Sequence, residues 1–363
     1  MDEAQDIVKL ALPFTAGILS FSCLSPTLEH TYKAASVSLI LLSLTMISLL
    51  LRHIRESHIK SIEIIITGYL AGIFIYSTTQ LCALTQSPGG MLADAASIAG
   101  KAMQHRIDSI PFSSADTNAL AKALLTGCRE DLSSEVTGAF RASGASHILA
   151  LSGLHLGIIY LIISKLASLA GGHPKAILTR SIICITVCTV YSFATGAGAS
   201  IIRALIFIVI SETSRLLHRK PDLKNTLASS LIIHLTLNPA DISSIGFQLS
   251  YAAIAGIAWI FPWFRSIWTD NEDGIMKRIW ESAALSISCQ LTTGPLAWLY
   301  FGTFPQYFIL TNLIALPLTS LIIPAALLTL VLDSIGIRPH LLMQGTEALV
   351  NILCGALGII ASM

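Results

Sequence analysis

Long apolar runs, each close to the length of a membrane-spanning helix, recur along this chain and limit what it can fold into. A helix needs about 20 mostly apolar residues to cross a bilayer. Only 12% of the 363 residues are charged, whereas roughly 25% is typical of a soluble protein. We therefore predict an all-α polytopic membrane protein. The predicted spans, about eleven with some broken, are residues 7–25, 34–51, 62–82, 146–166, 178–196, 200–216, 225–237, 244–262, 281–302, 307–331 and 342–362.

The distribution of Lys and Arg predicts the orientation of these spans. With the N-terminus in the cytoplasm, fifteen of the 22 basic residues fall on the inner side, and Arg203 lies within a span. Most of the others fall in residues 83–145, a long segment in which the positive-inside rule has little force. We therefore predict a multi-pass protein of the bacterial inner (cytoplasmic) membrane, with residues 83–145 outside the cytoplasm.

Residues 83–145 form the predicted extracytoplasmic segment. Residues 119–125 and 132–140 are expected to be short amphipathic helices, with Thr117 or Ser133 as a cap. The segment is too short for an independent globular domain and is expected to lie on the outer membrane surface. The predicted regions are transmembrane residues 1–82, extracytoplasmic residues 83–145 and transmembrane residues 146–363.

Polar side chains interrupt the apolar run HILALSGLHLGII, residues 147–159. His147 and His155 would be about 12 Å apart along a helix and could not bind one metal ion together. Ser152 and His155 would share a helix face. Three interpretations remain open: close helix packing through small residues, a hydrated cavity lined by the histidines, and a serine nucleophile with a histidine base. No acidic residue lies nearby and no GxSxG pattern surrounds the serine, which counts against the third.

Two further blocks place polar groups inside predicted spans. In TGAGASIIRA, a tight turn or break at Gly196 and Gly198 precedes Arg203. This arginine either extends to the membrane interface or faces a hydrated interior, where a guanidinium suits phosphate. In GFQLSY, Gln248 and Ser250 either hydrogen-bond between helices or line a pathway.

The last polar block extends from Gln290 to Pro305 and is followed by TNLIALP, Thr311 to Pro317, which contains Asn312. Gly294 with Pro295, and later Pro317, are expected to interrupt their helices. Irregular backbone at membrane depth is tolerated where it is buried in protein or lines water. Several broken helices in one chain therefore favour a transport pathway over a passive anchor. No Cys or His spacing is typical of a metal site, so no metal and no cofactor are predicted.

SHILALSGLHLGI resembles the signature of the ComEC competence family, bacterial inner-membrane channels for DNA uptake. Further stretches resemble family segments in the same order: ALLTGCREDLSSEVTGAFRASGASHILALSGLHLG, TGAGASIIRALI, NPADISSIGFQLSYAAIAGI, and QLTTGPLAWLYFGTFP with TNLIALPL. Together they cover about residues 118–320. The resemblance implies that residues 146–363 form a competence-type channel domain, which passes single-stranded DNA into the cell during natural transformation.

The resemblance also implies site residues and partners. The expected partners are single-stranded DNA, the lipid bilayer, and a DNA receptor, a nuclease and a cytoplasmic helicase or ATPase supplied by other chains; a homo-oligomer remains open. The residues carried over by motif, as lining of the pathway or contacts to DNA, are His147, Ser152, Gly153, His155, Arg203, Gly246, Phe247, Gln248 and Ser250. Gln290 and Asn312 are further candidates.

Two departures from the family pattern limit what is carried over. Residues 83–145 are too short for the complete oligonucleotide-binding-type domain that many members have. No HxHxDH pattern of a metallo-β-lactamase-like domain is present, so neither nuclease activity nor any other enzymatic activity is expected. The alternatives are a secondary transporter of a small anionic solute, an intramembrane hydrolase that uses Ser152 and His155, and a membrane scaffold.

Overall fold

The predicted all-α fold is confirmed by a computed structural model. It describes residues 3–23, 27–54, 61–83, 91–169, 171, 173–268, 274–302 and 306–363. The chain is 85% helical, and the described residues contain no strand.

The helices follow one another with short connections. Among the described residues they are α1 (Glu3–Cys23), α2 (Leu28–Ile54), α3 (Ser61–Ala83), α4 (Met91–Asp108), α5 (Ala115–Thr126), α6 (Ser134–Ala142), α7 (Ser146–Leu149), α8 (Gly153–Ser168), α9 (Pro174–Ala194), α10 (Ala199–Leu216), α11 (Leu223–Leu237), α12 (Ile245–Ala255), α13 (Phe261–Ser266), α14 (Ile275–Phe301), α15 (Phe308–Ser334) and α16 (His340–Ala361). A 3₁₀ turn, Pro239–Ser243, precedes α12, and a π-helical segment, Gly256–Ile260, joins α12 to α13.

The chain divides into two compact units that do not follow the predicted regions. Unit 1 comprises Met1–Gly90 and Thr213–Tyr251, and unit 2 comprises Met91–Glu212 and Ala252–Met363. The predicted boundaries at residues 82 and 145 concern membrane topology and stay a prediction.

Unit 1 contains a close helix pair, α1 with α3. A Cβ added at Gly17 would overlap the carbonyl of Tyr69, and one added at Gly72 would overlap the carbonyl of Phe14. Small residues allow membrane helices to approach to backbone contact. The two glycines therefore explain why these helices pack so closely.

Unit 2 has one large core to which its early helices contribute. Ile107, Leu120 and Phe140, from α4, α5 and α6, belong to the same buried cluster as Ile322 of α15 and Leu353 of α16. The helices of residues 91–142 are therefore packed into the unit. Of the predicted caps, Ser133 is confirmed, because its side chain accepts a hydrogen bond from the Val136 N–H at 3.3 Å. Thr117 is wrong, since it lies inside α5 and Ser114 is the N-cap.

Within the described residues, five helical segments are long and apolar enough to cross a membrane. They are Ile62–Cys82, Lys175–Ala194, Ile245–Ser266, Phe308–Ser334 and His340–Ala361. Each overlaps a predicted span, and two shorter apolar helices, Ile7–Cys23 and Gly153–Ser168, overlap two more. The described residues thus support a polytopic membrane protein, while the count of eleven spans stays a prediction.

The proline breaks expected in the last spans are absent from the described helices. α14 continues through Gly294 and Pro295, and α15 continues through Pro317. The prediction of breaks there is wrong, because a proline removes one N–H donor but a packed membrane helix tolerates that loss. The turn expected at Gly196 and Gly198 is present. Gly196 has φ +90, a value that glycine adopts without steric cost, and α10 begins directly after Gly198.

Candidate functional site

The apolar run of residues 147–159 is not one helix. α7 ends at Leu149 and α8 begins at Gly153, so the prediction of a continuous span over residues 146–166 is wrong. The reason is local hydrogen bonding. The Oγ of Ser152 accepts from the Leu154 N–H at 3.3 Å, while the Nδ1 of His155 lies 3.1 Å from the Ser152 backbone nitrogen and 2.9 Å from its Oγ. These contacts form a capping box, which fixes the start of α8.

His155 shows why the serine–histidine pair is better explained as a cap than as a catalytic pair. Its side chain is 1% exposed, and Nδ1 accepts the Ser152 N–H. The opposite nitrogen, Nε2, is buried and has no hydrogen-bond partner among the described residues. In serine hydrolases an acid orients the base through that second nitrogen. The described surroundings of His155 supply no such acid.

Arg203 packs against the same helix start. It lies on α10 and is 7% exposed. A Cβ added at Gly153 would lie 2.8 Å from its Nη2 and 3.3 Å from the Cβ of Ala204. Its guanidinium carbon also lies 5.8 Å from the centre of the Phe207 ring, within cation–π range. The side chain is therefore inside the protein, in space that Gly153 leaves open.

The electrostatics of this contact favour an anion. The first turn of a helix has N–H groups without intrahelical acceptors, and its N-terminus behaves as roughly half a positive charge. A guanidinium against Gly153 adds a full positive charge at the start of α8. α10 begins at Ala199, about 6 Å along its axis from Arg203, so a second helix N-terminus lies close. Phosphate and carboxylate groups bind in such surroundings.

The other candidates in unit 2 lie in different surroundings. His147 is exposed, and its Nδ1–H donates to the Gly144 carbonyl at 3.2 Å. Gln290, with Gly294 and Pro295, lines a hollow of about 570 Å³ whose other lining residues are apolar. Asn312 is half-buried, and its buried Oδ1 accepts no hydrogen bond within the described part of the chain.

The GFQLSY block lies in unit 1, at the start of α12, where Gln248 makes a local hydrogen bond. The amide of Gln248 donates to the Ile242 carbonyl at 2.9 Å, and Ser250 is half-buried.

Phe247 packs on His234, a buried histidine that sequence reasoning missed. The Nε2 of His234 lies 2.9 Å from a carboxylate oxygen of Asp241. The sequence contained a signal for this residue, because His234 is the only histidine in the predicted span 225–237.

Sequence reasoning also missed Glu212. This glutamate of α10 is completely buried. One oxygen accepts from the Oγ of Ser181 at 2.6 Å, and the other accepts from the Oη of Tyr160. The signal was a carboxylate inside the predicted span 200–216, where charged residues are rare.

A polar cluster joins three parts of residues 91–145. The Nζ of Lys122 donates to both carboxylate oxygens of Asp108 at 2.8 Å and to Asp131 at 2.6 Å. Burial alone would lower the pKa of Lys122, but the hydrogen bonds and the attraction of the two carboxylates outweigh it and raise that pKa above its ordinary value. Lys122 is therefore charged at neutral pH and stabilises this part of unit 2.

The long apolar helices define a class, the polytopic helical membrane proteins. A family model described as Competence protein matches residues 124–363, which is well over half of the chain. The chain therefore belongs to the Competence protein family, and the resemblance inferred from its ordered motifs is confirmed. The matched residues include α8, α10, Ser152, His155 and Arg203.

Two curated relatives are similar over part of their length. ComE operon protein 3 of Bacillus subtilis (strain 168) is 26% identical over 227 residues, which are 61% of this chain and 27% of that protein. Uncharacterized protein YcaI of Escherichia coli (strain K12) is 25% identical over 237 residues, 63% of this chain and 30% of that protein. The similarity thus spans less than a third of each relative. No solved structure matches this chain.

Proposed function

We propose that this chain forms part of a pathway by which single-stranded DNA crosses the bacterial inner membrane during natural transformation. Membership of the Competence protein family supports the role in DNA uptake. One observation in the structure carries the site: the buried guanidinium of Arg203 against Gly153, at the start of α8. In the proposed mechanism this positive site contacts successive phosphates of one strand. Each phosphate leaves the site as the next one binds.

The finer topology belongs to the same proposal. The N-terminus lies in the cytoplasm, about eleven spans cross the membrane, and residues 83–145 lie outside. A DNA receptor, a nuclease and a cytoplasmic helicase or ATPase come from other chains. The five long apolar helices and the excess of basic residues on the predicted inner side support this arrangement.

We further infer that Ser152 and His155 position the anion site and perform no hydrolysis. Their capping contacts fix the direction of the first N–H groups of α8, which is what an anion site requires. The missing acid at Nε2 of His155 counts against a nucleophile–base pair. Purified protein is expected to leave DNA intact with any divalent metal ion. Cleavage that Ser152→Ala abolishes would contradict this inference.

The decisive experiment compares substitutions of Arg203. Arg203→Gln removes one charge-assisted contact of about 1.5–3 kcal/mol, so we expect uptake of labelled DNA to fall roughly 10- to 100-fold. Arg203→Lys keeps the charge but not the planar fork and should have a milder effect. The control is Arg265→Gln, because Arg265 is an exposed arginine in a surface ion pair with Glu281. It should leave uptake unchanged.

Membrane levels of each variant are measured beside DNA uptake. Normal uptake by Arg203→Gln at a normal protein level would overturn the phosphate contact. The same positive site would also suit a small anionic solute, which makes an anion transporter the second candidate. Two results together would favour that candidate. Liposomes that contain the protein would take up small organic anions only when Arg203 is present, and cells with the Arg203→Gln variant would still be transformed normally.

A further inference from the structure

The part of unit 2 that precedes α7 follows α15 from one end to the other. Near the start of α15, the Thr311 hydroxyl donates to the Ser143 carbonyl at 2.7 Å, and both residues are buried. At the end of α15, Arg106 donates to the Ser334 hydroxyl and to the Asp333 carbonyl, each at 3.4 Å. Thr311 and Ser334 belong to one continuous helix and are about 34 Å apart along its axis. That length is enough to cross the roughly 30 Å hydrocarbon core of a bilayer.

The helix α5 is enclosed by protein. Residues 119–126 are all buried, whereas a helix that lies on a membrane surface keeps a polar face in water. Leu120 and Leu124 belong to the same core as Ile322 of α15 and Leu353 of α16. α5 therefore packs beside the long apolar helices. This packing favours a deeper position than the outer membrane surface that the sequence led us to expect.

The connection between α5 and α6 lies away from the Ser143 end of α15. Lys122 joins Asp131 of this connection to Asp108 through contacts of 2.6 and 2.8 Å. Asp108 is two positions after Arg106, which contacts the end of α15. Charged side chains and irregular backbone thus lie alongside a helix that is long and apolar enough to cross the membrane.

The exposed charges of this connection require water. Arg129 and Glu130 are both exposed. At membrane depth, irregular backbone is tolerated where it is buried in protein or lines a water-filled cavity. Exposed side chains exclude the first case, and a charge that faced lipid would be costly. Water beside the connection satisfies both conditions.

The same connection touches the start of α8. A Cβ added at Gly127 would lie 2.7 Å from Cδ1 of Leu151. Leu151 directly precedes Ser152, the N-cap of α8. Water beside the connection would therefore lie close to the helix start against which Arg203 packs.

We propose that residues 91–145 form a re-entrant segment, which lines a water-filled vestibule open to the outer side of the membrane. Both ends of the segment stay on the outer side, as in the proposed topology, while its middle part lies at membrane depth. The vestibule admits water and hydrophilic solutes as far as the connection between α5 and α6. This proposal rests on the proposed topology, in which α15 crosses the membrane, and does not depend on DNA as the transported substrate.

The test labels single cysteines in an otherwise Cys-free full chain, from the outer side of right-side-out membrane vesicles. Glu130→Cys should react with a small charged thiol reagent and resist a bulky one, a maleimide coupled to polyethylene glycol. Thr27→Cys, at an exposed position between the first two predicted spans, should react with both reagents, and Lys220→Cys with neither. Reaction of Glu130→Cys with both reagents would place the segment on the outer surface and overturn the proposal. Reaction with neither would also overturn it.

Cross-linking keeps the test decisive if the first variant does not fold. A short bifunctional thiol reagent should join Arg106→Cys to Ser334→Cys in the membrane, because these exposed residues are in contact. The matched pair, Arg141→Cys with Ser334→Cys, should stay separate, because Arg141 is two positions before Ser143 at the opposite end of α15. Equal cross-linking of the two pairs, or none in the first, would refute the end-to-end arrangement and the vestibule with it. Neither measurement uses DNA, so the vestibule and the phosphate contact can be refuted separately.

Discussion

Replacement of Gly153 by alanine should displace Arg203 and leave the fold intact. The new Cβ would lie 2.8 Å from Nη2 of Arg203 and 3.3 Å from the Cβ of Ala204. The first contact is too close, and the atom in the way is the end of a long side chain, which can move at little cost. The second contact is tight but needs only a small adjustment. The guanidinium is therefore the group that must shift.

The size of the shift predicts the loss of function. Carbon and nitrogen atoms in ordinary contact are about 3.5 Å apart, so Nη2 must move by about 0.7 Å. Hydrogen bonds from N–H groups to oxygen span only about 0.5 Å in length, from 2.7 to 3.2 Å. A phosphate placed for the present geometry would then lose a contact of about 1.5–3 kcal/mol. DNA uptake should fall at least tenfold.

A matched substitution on the same helix provides the control. Gly157 lies one turn further along α8, and a Cβ there meets no atom within 4 Å. Gly157→Ala should increase helix stability by up to about 1 kcal/mol and leave uptake unchanged. Both variants are compared with the parent protein by uptake of labelled DNA, membrane level and thermal unfolding. Equal uptake by Gly153→Ala and Gly157→Ala would refute the argument from geometry.

Two other predictions concern stability and topology. Lys122→Met should lower the free energy of unfolding by about 1–3 kcal/mol, because Asp108 and Asp131 lose their shared partner. The folded pKa of Lys122 is raised, so its contribution is complete below the unfolded value of about 10.4 and disappears as pH rises through the folded pKa. Chemical unfolding across this pH range would show parent and variant converging only in alkali. Lys220→Cys in a Cys-free chain should resist an impermeant thiol reagent added from outside, and labelling there would contradict the proposed topology.

The helix start at Gly153 illustrates what the sequence could and could not predict. Its motif singled out Ser152 and His155, three positions apart, and the structure joins these two residues in a capping box. Apolar periodicity nevertheless predicted a continuous helix, because hydropathy does not record a capping box. A serine followed three residues later by a histidine, with glycine between, was the available signal. Here local hydrogen bonding overrides the apolar pattern.

The contact between Gly153 and Arg203 could not be predicted from the sequence, for a different reason. Fifty positions separate the two residues, and helical periodicity gives the faces of a helix but not its neighbours. The predictions at Pro295 and Pro317 were wrong in the opposite sense, because a helix break was expected and a continuous helix is present. Their local preference predicted breaks, but packing around α14 and α15 holds the helices continuous. Tertiary contacts decide both outcomes, and a single sequence does not contain them directly.

The two buried charges of α10 are placed against its own dipole. Arg203 lies near the N-terminus, which is positive, and Glu212 lies near the C-terminus, which is negative. α8 runs parallel to α10, because Gly153 contacts Arg203 while Tyr160 contacts Glu212, so the N-terminus of α8 adds positive potential beside Arg203. Exchanging the two charges would suit stability better. The positive charge at the shared N-terminal end of this helix pair is better explained by the anion that Arg203 is proposed to bind than by stability.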